Sequence, residues 1–96
     1  MSIEDKFLKA TIHVRNLPKE GDVSMTHRLQ MYGLYKRATV GKCSDLGGLQ
    51  PWIIQFDAKA KWDAWNAVED LSVVEAMEKY TKLVTELCKD TDYEFE

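Results

Sequence analysis

Ile3, Phe7, Ala10 or Thr11, Val14 and Leu17 recur at three- to four-residue spacing and lay one apolar stripe along a helix. Ser2 can cap its start, with Asp5 three residues on. Pro18 disfavours helical geometry in the residue before it, so the first helix is predicted over residues 3–16. The next five residues contain Gly21 and read as a loop. Ser24 can cap a second helix, although His27 stands where a capping box would have Glu or Gln. Leu29, Tyr32, Gly33, Tyr35, Lys36 and Val40 carry that helix to Gly41, which is placed to close it. Residues 42–56 form a long loop with Gly47, Gly48 and Pro51, and its Leu49, Trp52, Ile53, Ile54 and Phe56 predict a segment packed down on the body. Asp57 is the expected cap of a third helix over residues 58–68, with Trp62 and Trp65 on one side. Ser72 and Glu75 form a capping box for a last helix, whose stripe is Val73, Met77, Tyr80, Val84 and Leu87 and which runs to about residue 89. No alternating strand pattern of useful length appears. The reading is an all-α, four-helix domain over residues 1–90, followed by an acidic tail at 91–96 that frays.

Composition adds bounds rather than chemistry. Ninety-six residues suffice for one core. The first stretch mixes acids and bases without an apolar run, and Cys43 and Cys88 are isolated, so reduced thiols and a cytoplasmic setting are the expectation. No apolar run approaches membrane-spanning length. After four helices pack, no apolar stripe is left over, and a monomer is expected. The net charge of −3 argues against generic nucleic-acid binding. That charge is unevenly placed: residues 1–48 hold eight Lys/Arg against five Asp/Glu, whereas residues 49–96 hold five against eleven. An anionic ligand senses the local field, because charges beyond about 10 Å are screened at roughly 0.1 M salt.

Enzyme signals are poor. There is no nucleophile elbow, no glycine loop of dinucleotide or P-loop type and no paired zinc-ligand spacing, so no metal or cofactor is expected. His13 and His27 read as surface or packing residues, Cys88 as a core thiol and Cys43 as a loop or core thiol. Tyr32, Tyr35 and Lys36, at i, i+3 and i+4, are expected to share a helix face. Two phenols and an ammonium there suit a ligand that carries a flat ring and phosphates; equally, the tyrosines can be core and the lysine solvated. Trp65 reads as core, and Trp62 as either core or ligand contact. Arg37, Lys42 and Lys59 read as solvated charges.

YGLYKRATVGKC, KAKWDAWNA and EAMEKY, in that order, resemble the acyl-CoA-binding protein family, whose members carry Y-x-x-Y-K-Q-A-T-x-G, K-A-K-W-x-A-W and A-M-x-x-Y. The resemblance runs from about Phe7 to Leu87. It implies an up-down-down-up four-helix bundle and a non-enzymatic carrier of medium- to long-chain fatty acyl-CoA esters. Such a carrier delivers its ligand to acyl-CoA-using, lipid-metabolising enzymes, with transient membrane contact as a further partner. It also implies a ligand site: Tyr35 stacks on adenine, Tyr32 and Lys36 contact the ribose 3′-phosphate, Lys61 binds a further phosphate and Tyr80 reaches the same nucleotide. Arg15 sits where the family often has a basic residue, with Lys19 a weaker candidate, and the acyl tail is expected near Leu29. Three departures stand out. Asp57 occupies a place where many members have lysine, Arg37 replaces the usual glutamine, and the 42–56 loop is about three residues longer and lacks the usual Pro-Gly pair. Asp57 and the long loop keep open a helical interaction module that kept the fold but lost the ligand; a free-standing form of an enzyme-fused domain is a third reading. CoA-dependent stabilisation separates the first from the carrier, and turnover to free CoA would reveal the last.

Overall fold

Two hydroxyl caps start helices where the sequence pattern places them. The Ser2 Oγ accepts the Asp5 N–H at 3.2 Å and opens α1, Ile3–Arg15. The Ser72 Oγ accepts the Glu75 N–H at 3.1 Å while the Glu75 carboxylate accepts the Ser72 N–H at 3.0 Å, and this reciprocal pair opens α5, Val73–Leu87. Between them lie α2 (Met25–Thr39), α3 (Cys43–Leu46) and α4 (Phe56–Asn66). The computed structural model describes residues 2–15, 25–52 and 55–87, with Arg15 by its backbone alone. The expected Ser24 cap, Leu17, Lys19, Cys88 and the acidic tail lie outside the described residues. No strand occurs among those described.

Gly41 ends α2 as predicted. With φ at 132° it holds a conformation that side chains resist, and its N–H donates back to the Lys36 carbonyl at 3.1 Å. α4 starts earlier than the sequence suggested. Gln55 is its N-cap without a side-chain hydrogen bond, so Asp57 falls inside the first turn, where a carboxylate still suits the helix dipole.

The main packed pairs are α2 with α5, α2 with α4, α1 with α5 and α3 with α4. Along α2 and α4 the touching residues rise together: Lys61 lies on Tyr32, Trp65 on Lys36 and the Glu69 turn on Arg37. The two helices are therefore parallel, as an up-down-down-up order requires of the second and third long helices. Phe7, Ala10, Met31, Leu34, Ala76, Tyr80 and Val84 form the core, with Val14 and Leu87 packed against it. Phe7, Ala10 and Val14 of α1 and Met77, Tyr80, Val84 and Leu87 of α5 follow the stripes expected there, whereas Val73 is exposed and Met31 and Leu34 lie outside the positions expected for the second helix.

Two expectations are corrected. Arg37 is buried, 8% exposed, because α2 turns it toward the end of α4, where its Nε donates to the Glu69 carbonyl at 3.4 Å. Lys59 is half-buried in an ion pair with Asp63 at 2.7 Å, one helical turn on. The segment after α2 also differs. It contains the single-turn helix α3, and Leu49, Trp52 and Phe56 are 93%, 76% and 74% exposed. Polar tethers help to hold its described part, and Ile53 and Ile54 lie outside the described residues. The Gln50 amide donates to the Asp63 carboxylate at 2.7 Å, and the Trp52 N–H donates to the Gln55 side chain at 3.2 Å.

Candidate functional site

α2 and α4 converge on a glycine. A Cβ built at Gly33 would press on the Ala64 carbonyl group and stand 3.2 Å from the Trp65 nitrogen, so only a bare Cα fits where the helices cross. On one side of that crossing opens a cleft of about 430 Å³, lined by Tyr32, Lys61, Trp62 and Trp65, with Asp57 and Ala58 at the start of α4 and Gly47 and Pro51 from the α3 segment. The Lys61 ammonium lies 5.8 Å from the Tyr32 ring centroid, and the Lys36 ammonium 4.7 Å from that of Trp65. Both contacts are within cation–π range, so ring faces hold one positive charge in the cleft wall, Lys61, and a second, Lys36, on the Trp65 ring that also lines it. Such a site suits an anionic head attached to apolar substance. Asp57, one turn before Lys61, places a carboxylate in the same wall.

The single face expected for Tyr32, Tyr35 and Lys36 is divided. At 100° per residue, Tyr35 and Lys36 lie about 100° apart around the helix, and α2 is wedged between α4 and the α1–α5 pair. Tyr32 and Lys36 turn to α4; the Tyr35 ring stacks on Phe7 at 6.2 Å and tilts against Tyr80 at 6.3 Å. Tyr80 is itself packed edge-on to Phe7 at 5.1 Å and is 4% exposed. Tyr35 keeps 37% exposure, so its outer part remains available for stacking. Leu29 is half-buried on α2, and the Arg15 side chain lies outside the described residues. Among the described residues, no cluster of His, Cys, Asp and Glu could hold a metal ion, and no helix is long and apolar enough to cross a membrane.

The family model for acyl CoA binding protein matches residues 4–84.

This chain belongs to the acyl-CoA-binding protein family.

Relatives in that family include the acyl-CoA-binding protein of Fritillaria agrestis, 36% identical over 95% of this chain and 99% of the relative. The acyl-CoA-binding domain-containing protein 1 of Oryza sativa is 38% identical over 94% and 93%. The crystal structure of the acyl-CoA-binding protein from Moniliophthora perniciosa superposes with a TM-score of 0.82 at 40% identity, covering 98% of this chain and 87% of that one. Acyl-CoA-binding protein 2 of Oryza sativa superposes at 0.80 with 35% identity, covering 93% of both chains. The all-α bundle is thus the acyl-CoA-binding protein fold.

Around the cleft of this family member, sequence reasoning missed the α3 wall. Cys43, expected as a loop or core thiol, opens α3 and is fully buried, with its Sγ 3.8 Å from the Trp62 carbonyl. Burial raises its pKa, and the charges of Glu69 and Asp63 add to the effect. The Trp62 Nε1 is buried under Gly47 without a hydrogen-bond acceptor among the described residues.

Three carboxyls are held below their ordinary values. Hydrogen bonds from Lys59 and Gln50 lower Asp63, those from Ser44 lower Glu69, and those from Ser72 lower Glu75. A folded-state value below the unfolded one adds stability that is full above the ordinary values of 3.8 and 4.5 and is lost as pH falls through the lowered ones. Melting temperature is therefore expected to stay level down to about pH 5 and to fall below it. Thermal melts from pH 7 to 3 check this, and Glu75→Gln should flatten the acid limb. A melting temperature that rises on acidification would refute it.

Proposed function

We propose that this chain is a non-enzymatic carrier that binds medium- to long-chain fatty acyl-CoA thioesters reversibly, shields them and passes them to acyl-CoA-using enzymes. It acts as a monomer in the cytoplasm, with no cofactor and no covalent step. One observation supports the reading: in a member of the acyl-CoA-binding protein family, Tyr32 and Lys61 line an aromatic cleft whose Trp65 ring carries the Lys36 ammonium. Lysines on phosphate make charge-assisted contacts, which are stronger than neutral ones. A base stacked on the exposed part of Tyr35 is worth on the order of 1–3 kcal/mol. Each methylene of the acyl chain that leaves water adds roughly 0.8 kcal/mol. The division of the α2 face fits a ligand of several parts, with Tyr35 on the nucleobase side and Tyr32, Lys36 and Lys61 on the phosphate side. Asp57 in the same wall sets a repulsive limit on where a phosphate lies.

Calorimetric titration with palmitoyl-CoA, and with free CoA and palmitate separately, tests the reading. Tight binding of the thioester and weak binding of either half is the expected result; no heat and no shift in melting temperature would overturn it. Lys36→Ala is expected to cost roughly 1.5–3 kcal/mol of binding, or about 10- to 150-fold in Kd. A folded Lys36→Ala protein with unchanged affinity would remove Lys36 from the site.

A further inference from the structure

α3 is a helix that cannot hold itself. It has four residues, far below the length at which helices are stable alone. Its N-cap, Lys42, is extended, makes no side-chain capping bond and carries no acceptor with which to make one. A helix start leaves N–H groups without intrahelical partners, and the Ser44 N–H is one of them. It donates to the Glu69 Oε1 at 2.8 Å, across 25 residues of chain.

Glu69 is itself fixed from the other side. The Nε of buried Arg37 donates to the Glu69 backbone carbonyl and ties the turn after α4 to α2. One residue thus joins three elements, by its carbonyl to α2 and by its carboxylate to α3. What α3 carries is the wall of the cleft. Gly47, its C-cap, donates to the Cys43 carbonyl at 2.7 Å. A Cβ built on Gly47 would stand 2.7 Å from the Cys43 Sγ and 3.3 Å from the Trp62 Nε1, so the wall lies directly on the indole. Gly47 and Pro51 face the cleft.

We propose that Glu69 is a positioning residue for ligand binding: its carboxylate is a detached N-cap for α3 and so holds the Gly47–Pro51 wall against Trp62. The role in binding rests on the carrier reading of the cleft. Without the carboxylate, the Ser44 N–H loses its acceptor, the single turn loosens and the occupant of the cleft loses one side of its enclosure. Glutamine keeps an acceptor oxygen at the same reach, whereas alanine removes it.

The test compares wild type, Glu69→Ala and Glu69→Gln by palmitoyl-CoA titration and by amide hydrogen exchange. Glu69→Ala is expected to raise Kd about tenfold and to speed exchange at Ser44 to Gly47 by at least about tenfold, while amides of α2 and α5 stay protected. Glu69→Gln is expected to restore most of both. Unchanged exchange at Ser44 in the alanine variant overturns the proposal, as does unchanged Kd. Uniformly faster exchange throughout the chain overturns it too, because that marks general destabilisation. A glutamine variant as defective as alanine shows that charge and not capping matters, and also overturns it. Failure of the wild type to bind palmitoyl-CoA overturns the carrier reading and the binding role together; exchange at Ser44 then still decides whether Glu69 holds α3.

Discussion

Replacing Trp65 with alanine is expected to remove about 3–5 kcal/mol of stability, the usual cost of emptying a large aromatic site. Against a typical total of about 5–15 kcal/mol, that leaves a protein close to unfolding. The indole is 6% exposed and packs where α2 and α4 meet. Its Nε1 donates to the Gly41 carbonyl at 2.8 Å, fixing the turn that ends α2, and its ring face carries the Lys36 ammonium. One side chain therefore joins helix packing, a helix end and a proposed phosphate contact. Trp65→Phe separates these roles. Phenylalanine refills most of the volume and leaves the Gly41 carbonyl without its donor, at a cost of about 1–3 kcal/mol. Urea denaturation should rank wild type above Phe and Phe above Ala. An alanine variant within about 1 kcal/mol of wild type would show that the indole does not hold the crossing together.

The second large effect is expected at Gly33. Helix propensity alone favours replacing a mid-helix glycine, by roughly 1 kcal/mol for alanine. The contact predicts the opposite sign, because the atoms that a Cβ would meet belong to the backbone of Ala64 and Trp65, which cannot swing aside. Gly33→Val forces α2 from α4 and is expected to cost at least about 3 kcal/mol, the upper end of overpacking penalties. For a chain this short, that is a fall of more than about 12 °C in melting temperature. The cleft is built on the same crossing, so surviving folded protein should also bind palmitoyl-CoA more weakly. Calorimetric melting of the valine variant decides between packing and propensity. A rise in melting temperature would mean that the helices have room.

The long helices were legible because their signals are local. The Ser72–Glu75 box, the Ser2 cap and the Gly41 stop each act within a few residues, and each is found in place. The start of α4 shifted because Gln55 occupies the cap position without making a capping bond, which the attractive carboxylate of Asp57 concealed. α3 has too few residues to show a period, and its cap comes from Glu69, far along the chain. Arg37 was misread for a related reason. Its acceptor is a backbone carbonyl, and a carbonyl has no signature in a list of side chains. The exposed Leu49, Trp52 and Phe56 show the limit from the other direction, since apolar character predicts burial only where a surface stands ready to cover it. Of the candidate site, spacing put Tyr32, Tyr35 and Lys36 on α2, and Lys61 of α4 came from the family resemblance and not from spacing. The separation of Tyr35 from Tyr32 and Lys36 was not readable, because it depends on which neighbours wedge α2.

The pairing of α1 with α5 governs when this chain can fold as it is made. Helix bundles that stack neighbour on neighbour can gain structure hairpin by hairpin. Here the first helix finds its main partner in the last, and α2 too packs against α5. Until α5 has left the ribosome, the Phe7 side of α1 lacks its main partner and α2 has only α4 along its length, so part of their apolar surface stays open to solvent and to chaperones. The contact of Phe7 with Tyr80 closes a loop of more than seventy residues in one late step, an entropic cost that local contacts do not share. The native packing of α1 in this protein therefore waits until α5 has been made.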